Sequence, residues 1–179
     1  MVSRTWTATS GRCSIWTWST CTIRKPPHQP ASKGGIVIQD NVIRSSRTFP
    51  VSRNALFQAF AEPNLLKLWW GPKGFTNTFE QFSFEPGGHW IFTMHSPEGK
   101  DFPNHSVFDE IIAPAKIRFR HICKPEFCMT MHFEGTEENS VLTWEMEFEN
   151  AEIKNSLEKL VVPSNEQNFD RLEKVLGTA

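Results

Sequence analysis

The sequence has no tyrosine, only four cysteines among 179 residues, and a net charge of −1. Each shortage excludes something. Four cysteines in two unrelated places are too few for a disulfide scaffold, so a reducing, cytoplasmic compartment is the expectation. Charge is balanced, 19 basic against 20 acidic residues, which leaves no electrostatic footprint for nucleic acid or an anionic membrane surface. No apolar run approaches the roughly 18 residues of a spanning helix, which argues against membrane insertion. Phosphate-binding loops of the P-loop or G-x-G-x-x-G type are missing, and no cofactor is implied.

Acidic residues are also missing from positions 1–35, where Arg4, Arg12, Arg24, Lys25 and Lys33 lie among serines, threonines and three tryptophans, Trp6, Trp16 and Trp18. Neither helical nor strand periodicity is sustained there. The segment lacks the apolar core of a secretory signal. Its composition suits a transit peptide, but Pro26, Pro27 and the tryptophans spoil an amphipathic helix. Residues 1–35 are therefore read as a disordered or non-native extension, and residues 36–179 as the domain.

What the chain has in quantity is large apolar side chains: 39% hydrophobic residues, including 15 Phe and 7 Trp, with 22% charged. That is a globular composition. Residues 36–38 and then 42–49 read as strand, ended by Pro50. Ser52 is a candidate N-cap for a helix bearing Leu56, Phe57 and Phe60. Pro63 opens a second helix that ends at Gly71-Pro72. Residues 75–84 read as strand, Glu85-Pro86-Gly87-Gly88 as a tight turn, and 89–95 as a strand with Trp90, Phe92 and Met94 on one face. A strand over 102–112 follows the Ser96–Gly99 turn. Ile117, Phe119 and His121 alternate with Arg118 and Arg120. Further on, Phe127, Met129, Met131 and Phe133 alternate with polar partners. The clearest strand places Leu142, Trp144, Met146 and Phe148 opposite Thr143, Glu145, Glu147 and Glu149. Short turns between these strands require antiparallel pairing. At the C-terminus, Ile153, Leu157 and Leu160 suit one helix, which Pro163 is expected to stop or kink. Ser164 and Gln167 resemble a capping box for a second helix carrying Phe169, Leu172, Val175 and Leu176, with Gly177 as its stop. The fold class is α+β, with the last helix covering the apolar face of the sheet.

Several elements match a known family in order and spacing: Phe49-Pro50-Val51, Ala59-Phe60-Ala61-Glu62-Pro63, Trp69-Trp70-Gly71-Pro72-Lys73-Gly74-Phe75 and Glu85-Pro86-Gly87-Gly88-His89-Trp90. So do Met94, Pro97, Gly99, Phe108, Glu110-Ile111 and Pro114. The chain resembles the bacterial branch related to the C-terminal domain of the activator of the heat-shock protein 90 ATPase, within the SRPBCC, START-like or Bet v-like superfamily. The resemblance spans about residues 38–177. It implies a helix-grip fold, a curved antiparallel sheet of six or seven strands around a C-terminal helix, with a cavity between them that often holds an apolar ligand. Pro163 departs from the family pattern and bears on the length of the cavity. The family name also implies a chaperone partner, although 35 unpatterned residues cannot replace the separate N-terminal domain of the eukaryotic activators.

The expected cavity lining is the set of large apolar side chains on inward positions. The helix-end pair Trp69 and Trp70 contributes, together with Phe79, Trp90, Phe92, Met94 and Phe108 from the first half of the sheet. Phe119, Met129, Met131, Trp144 and Met146 come from the second half, and Phe169 and Leu172 from the last helix. Methionines suit loose selectivity, so a small hydrophobic molecule is the expected partner. Catalysis finds little support, because no G-x-S-x-G or H-E-x-x-H is present, and a cyclase- or hydrolase-like enzyme is the least favoured alternative after ligand binding and a chaperone-binding module. Glu145, Glu147 and Glu149 alternate on a polar face, as do His89 and His95, which places them in solvent. His121, Cys123, Cys128 and His132 are zinc-like in type, but strand parity puts Cys123 and Cys128 on opposite sides of the sheet.

Overall fold

A computed structural model describes residues 40–178. The expected extension over 1–35 and the short strand over 36–38 lie outside the described residues. The chain runs β1 (Val42–Phe49), α1 (Arg53–Ala61), α2 (Pro63–Trp69), β2 (Thr76–Phe82), β3 (His89–His95), β4 (Asp101–Ile112), β5 (Lys116–His121), β6 (Phe127–Gly135), β7 (Ser140–Phe148) and α3 (Ala151–Leu176). All seven strands form one sheet in the order β1-β7-β6-β5-β4-β3-β2, antiparallel throughout. Five of the six pairings join consecutive strands, as short turns dictate. The sixth closes β1 onto β7 across the whole chain, Ser45 opposite Trp144.

Local chemistry sets the element ends. Ser52 Oγ accepts from the Ala55 amide at 3.1 Å to start α1, and Pro63 occupies the first turn of α2, where a missing N–H costs nothing. Asn150 Oδ1 accepts from the Ile153 amide at 3.0 Å to start α3, and Gly177 ends it at φ 71°. In β7 the expected alternation holds: Leu142, Trp144, Met146 and Phe148 are buried while the residues between them are half-buried.

The C-terminus differs from the sequence expectation. Pro163 neither stops nor splits the helix, and α3 continues through it as one helix of 26 residues. A proline in a helix interior forfeits one backbone hydrogen bond and crowds the carbonyl four residues back. Packing on both sides of it offsets that loss. Ile153, Leu157 and Val161 lie against the core before the proline, and Phe169 and Leu172 are buried after it. Ser164 is not a cap but an interior residue whose hydroxyl donates to the Leu160 carbonyl at 2.8 Å, and Gln167 instead accepts from the Lys73 amide at 3.0 Å. Leu160, expected on the apolar face, is 67% exposed.

An ionic clamp ties α3 to β1. Arg47 meets Glu166 at 2.6 Å, Asp170 at 2.7 Å and Glu173 at 3.4 Å, with its guanidinium 5.4 Å from the Phe169 ring centroid. The three carboxylates follow helical spacing, so one cation fixes the rotation of the helix. The core that results is aromatic and edge-to-face: Phe49 and Trp144 meet Phe169 at 6.2 and 4.7 Å, and Phe60 meets Trp69 and Phe133 at 4.6 and 5.1 Å. No helix among the described residues is long and apolar enough to cross a membrane.

Candidate ligand cavity

Inward positions on most strands carry rings or methionines that fill the space under α3. On β4 two of them are small and polar. Ser106 pairs across the sheet with Trp90 on one side and His121 on the other, and Asn104 pairs with Phe92. Shortening the side chains there leaves a cavity of about 160 Å³. Its sheet wall is Trp90 and Phe92, Phe119 and His121, Phe127 and Met129, and Trp144 and Met146, from β3, β5, β6 and β7 in turn. Asn165 and Asn168 of α3 form the opposite wall, and Trp70-Gly71-Pro72 and Met94 close one side.

The closing loop is held by the helix. Gly71 N donates to Asn168 Oδ1 at 2.6 Å. The Arg171 guanidinium donates to four carbonyls, Leu68 at 2.7 Å, Pro72 at 2.8 Å, Gly71 at 2.9 Å and Trp70 at 3.4 Å. Leu68 belongs to the last turn of α2 and Trp70 is its C-cap residue, while Gly71 and Pro72 lie in the loop beyond, so one side chain ties the helix end and the loop together. Asn77 Nδ2 adds a bond to the Trp70 carbonyl at 2.7 Å. Gly71 lies at φ 98°, a conformation that favours glycine, and a β-carbon there would displace only the mobile end of Met94, 2.6 Å away. Fixed in this way, the Trp70 ring sits 5.0 Å from that of Trp90 and 5.5 Å from those of Trp69 and Trp144.

The polar groups of the cavity differ in how well they are partnered. Asn168 also donates to Ser164 O at 2.9 Å, and Asn165 donates to Ser45 Oγ at 3.1 Å. Ser106 Oγ lies 3.4 Å from His121 Nδ1, a long contact. Burial, with the nearby His105, pushes the His121 pKa down to about 4 against a weaker upward pull from Glu126, so the imidazole is neutral at physiological pH. The indole N–H groups of Trp90 and Trp144 are buried and have no partner among the described residues.

Of the residues expected from sequence, eight line this cavity: Trp70, Trp90, Phe92, Met94, Phe119, Met129, Trp144 and Met146. The other six lie elsewhere. Trp69 is fully buried against α1, its Nε1 donating to the Ala59 carbonyl at 3.0 Å. Phe169 and Leu172 are fully buried core residues, held beneath α3. Phe79 stacks with Phe82 at 5.9 Å near the β2 edge. Phe108 and Met131 border a separate void of about 10 Å³, a packing gap too small for a ligand. The residues missed are chiefly polar: Asn104, Ser106, His121, Asn165 and Asn168. A signal for them existed in the pattern, since His121 continues the Ile117–Phe119 alternation and Asn165 and Asn168 precede Phe169 and Leu172 at helical spacing.

Several histidines and acids on the outer face are engaged in pairs. His89 Nδ1 lies 2.8 Å from His105 Nε2, and His95 lies 2.6 Å from Asp101 and 2.9 Å from Thr78. Burial, and then the neighbouring His89, lowers the pKa of His105. Glu145 meets Arg44 at 2.8 Å. Cys128 pairs in register with Arg120, in the outward-facing series of β6. Among the described residues no group of three His, Cys, Asp or Glu side chains could hold a metal ion.

A curved seven-stranded antiparallel sheet around a C-terminal helix, with a cavity between them, defines a helix-grip protein. Solved structures share the fold. A protein from Nitrosomonas europaea is 20% identical, with a TM-score of 0.71 over 77% of this chain and 95% of that one. A protein from Arthrobacter aurescens is 20% identical, with a TM-score of 0.72 over 78% and 88%. An AHSA1 protein from Silicibacter pomeroyi is 20% identical, with a TM-score of 0.60 over 76% and 97%. No curated relative matches the sequence. The sequence profile of the activator of Hsp90 ATPase homolog 1-like proteins matches residues 50–177, and the chain belongs to that family.

Proposed function

We propose that this protein binds a small hydrophobic molecule in the cavity between sheet and helix. The observation that carries the reading is the partly open space of about 160 Å³ lined by Trp70, Trp90, Phe119, Met129 and Trp144 beside short residues on β4. Apolar transfer into such a space supplies the affinity, about 25 cal/mol per Å² of surface removed from water. A cavity of about 150 Å³ lined by apolar side chains is known to take up benzene, which sets the scale of the occupant. Nothing in the wall supplies a nucleophile with an activated base, since His121 is neutral and a weak base, so binding is favoured over catalysis.

Native mass spectrometry of the purified protein, with organic extraction of anything bound, tests the reading. A stoichiometric small apolar molecule is the expected result. If the protein proves empty and also fails to take up small aromatic compounds, the cavity reading falls. A chaperone partner, which the family name supports, then becomes the function to pursue by pull-down.

A further inference from the structure

Five polar side chains line the cavity, Asn104, Ser106, His121, Asn165 and Asn168, and their hydrogen bonds sort them. Asn168 is spent at both ends, its Oδ1 on the Gly71 amide and its Nδ2 on the Ser164 carbonyl. Ser106, 1% exposed, turns its hydroxyl to His121 Nδ1 at 3.4 Å. Asn104 donates from Nδ2 to the Phe102 carbonyl at 2.7 Å. Asn165 donates from Nδ2 to Ser45 Oγ at 3.1 Å and toward Met146 Sδ at 3.7 Å. A carbonyl and a thioether only accept, so each amide is held with its NH2 on those partners and its oxygen turned away from them.

Neither of these two amide oxygens has a hydrogen bond among the described residues. Nor is either sealed from solvent. The side-chain atoms that are both sealed and unpartnered are Asn41 Oδ1, Asn77 Oδ1 and the Trp90 and Trp144 indole nitrogens. Asn104 Oδ1 and Asn165 Oδ1 are therefore open acceptors on residues that border the cavity, Asn165 the deeper at 5% exposed. His121 Nε2 is open and unpartnered on the same grounds. An amide oxygen can only accept, so what answers it is a donor. A hydroxyl answers His121 as well, in either tautomer, because it both donates and accepts.

No Asp, Glu, Lys or Arg is among the lining residues, so an ion would enter without a counter-charge. The volume admits about one substituted ring, against the rings of Trp70 and Phe119. Resting on the reading of the cavity as a ligand site, we propose that its occupant is an uncharged molecule of about one ring bearing a hydroxyl group, whose O–H donates to the amide oxygen of Asn165 or Asn104. The hydroxyl sets orientation and the apolar body supplies most of the affinity.

Phenol, toluene and acetophenone each carry one ring and offer a donor, neither group and an acceptor alone; benzylammonium adds a charge. Isothermal titration of the full chain with each measures the preference. Transfer out of water by itself favours toluene over phenol by about tenfold. A hydrogen bond to the wall cancels that handicap, so phenol is expected to bind at least as tightly as toluene and about tenfold more tightly than acetophenone. Asn165→Leu, or Asn104→Leu where that amide is the partner, should weaken phenol by about tenfold and leave toluene within about twofold. Phenol weaker than toluene and indifferent to both substitutions overturns the donor proposal and leaves an apolar site intact, as does acetophenone binding as tightly as phenol. Benzylammonium binding more tightly than phenol overturns the uncharged part. Absence of binding by all four at millimolar concentration overturns both this proposal and the function it rests on. Should neither leucine variant fold, the ratio of phenol to acetophenone affinity in the unsubstituted protein decides the question alone.

Discussion

His121 shows how one residue couples the cavity to stability. It occupies an inward strand position, stacks on Phe127 at 4.9 Å and is 8% exposed. Its pKa falls from 6.5 to about 4, first because burial disfavours the cation. The unfolded chain therefore binds a proton below pH 6.5 while the folded one does not until about pH 4. Stability is fully present above pH 6.5 and is lost as pH falls toward 4, by about 3 kcal/mol in all at 1.36 kcal/mol per unit. Urea titrations at pH 7.5 and pH 4.5 should show the drop, and His121→Phe should flatten it. An unchanged pH slope in that variant would show the titration to lie elsewhere.

At the scale of elements, α3 does two jobs through polar side chains on its inner and flanking faces. Arg171 ties the end of α2 to the Trp70 loop, so Arg171→Met should lower stability by about 2–3 kcal/mol, the worth of hydrogen bonds to a charged group. Hydrogen exchange should localise the loss to the Gly71 and Lys73 amides. Uniform loss of protection across the sheet would count against a local clamp. Arg171→Lys should recover little, because an ammonium cannot fork to four acceptors. Pro163 works in the opposite direction. It interrupts the hydrogen bonding of a helix whose two halves are already packed, so Pro163→Ala should stabilise the protein by about 2 kcal/mol. The denaturation midpoint measures this, and a destabilised variant would mean that the proline relieves a constraint the packing does not reveal.

At the scale of the whole molecule, the sequence by itself determined the elements and the alternation of their faces. Turn residues, caps and period-two patterning are local properties, which is why β1, β3 and β7, the Ser52 cap and the Gly177 stop could be read directly. The motifs around Trp69-Trp70-Gly71-Pro72 placed the chain in its family for the same reason. Tertiary structure alone decided three things. It carried α3 through Pro163, because burial on both sides of a proline outweighs one missing hydrogen bond, and no local pattern contains that sum. It sorted the large apolar residues, sending Trp69, Phe169 and Leu172 into solid core and Trp70, Trp90 and Trp144 to a cavity wall. It also made the cavity itself, where Ser106 and Asn104 stand among rings. A hollow depends on what four strands and a helix fail to fill together, and that volume is a property of their register, not of any one segment.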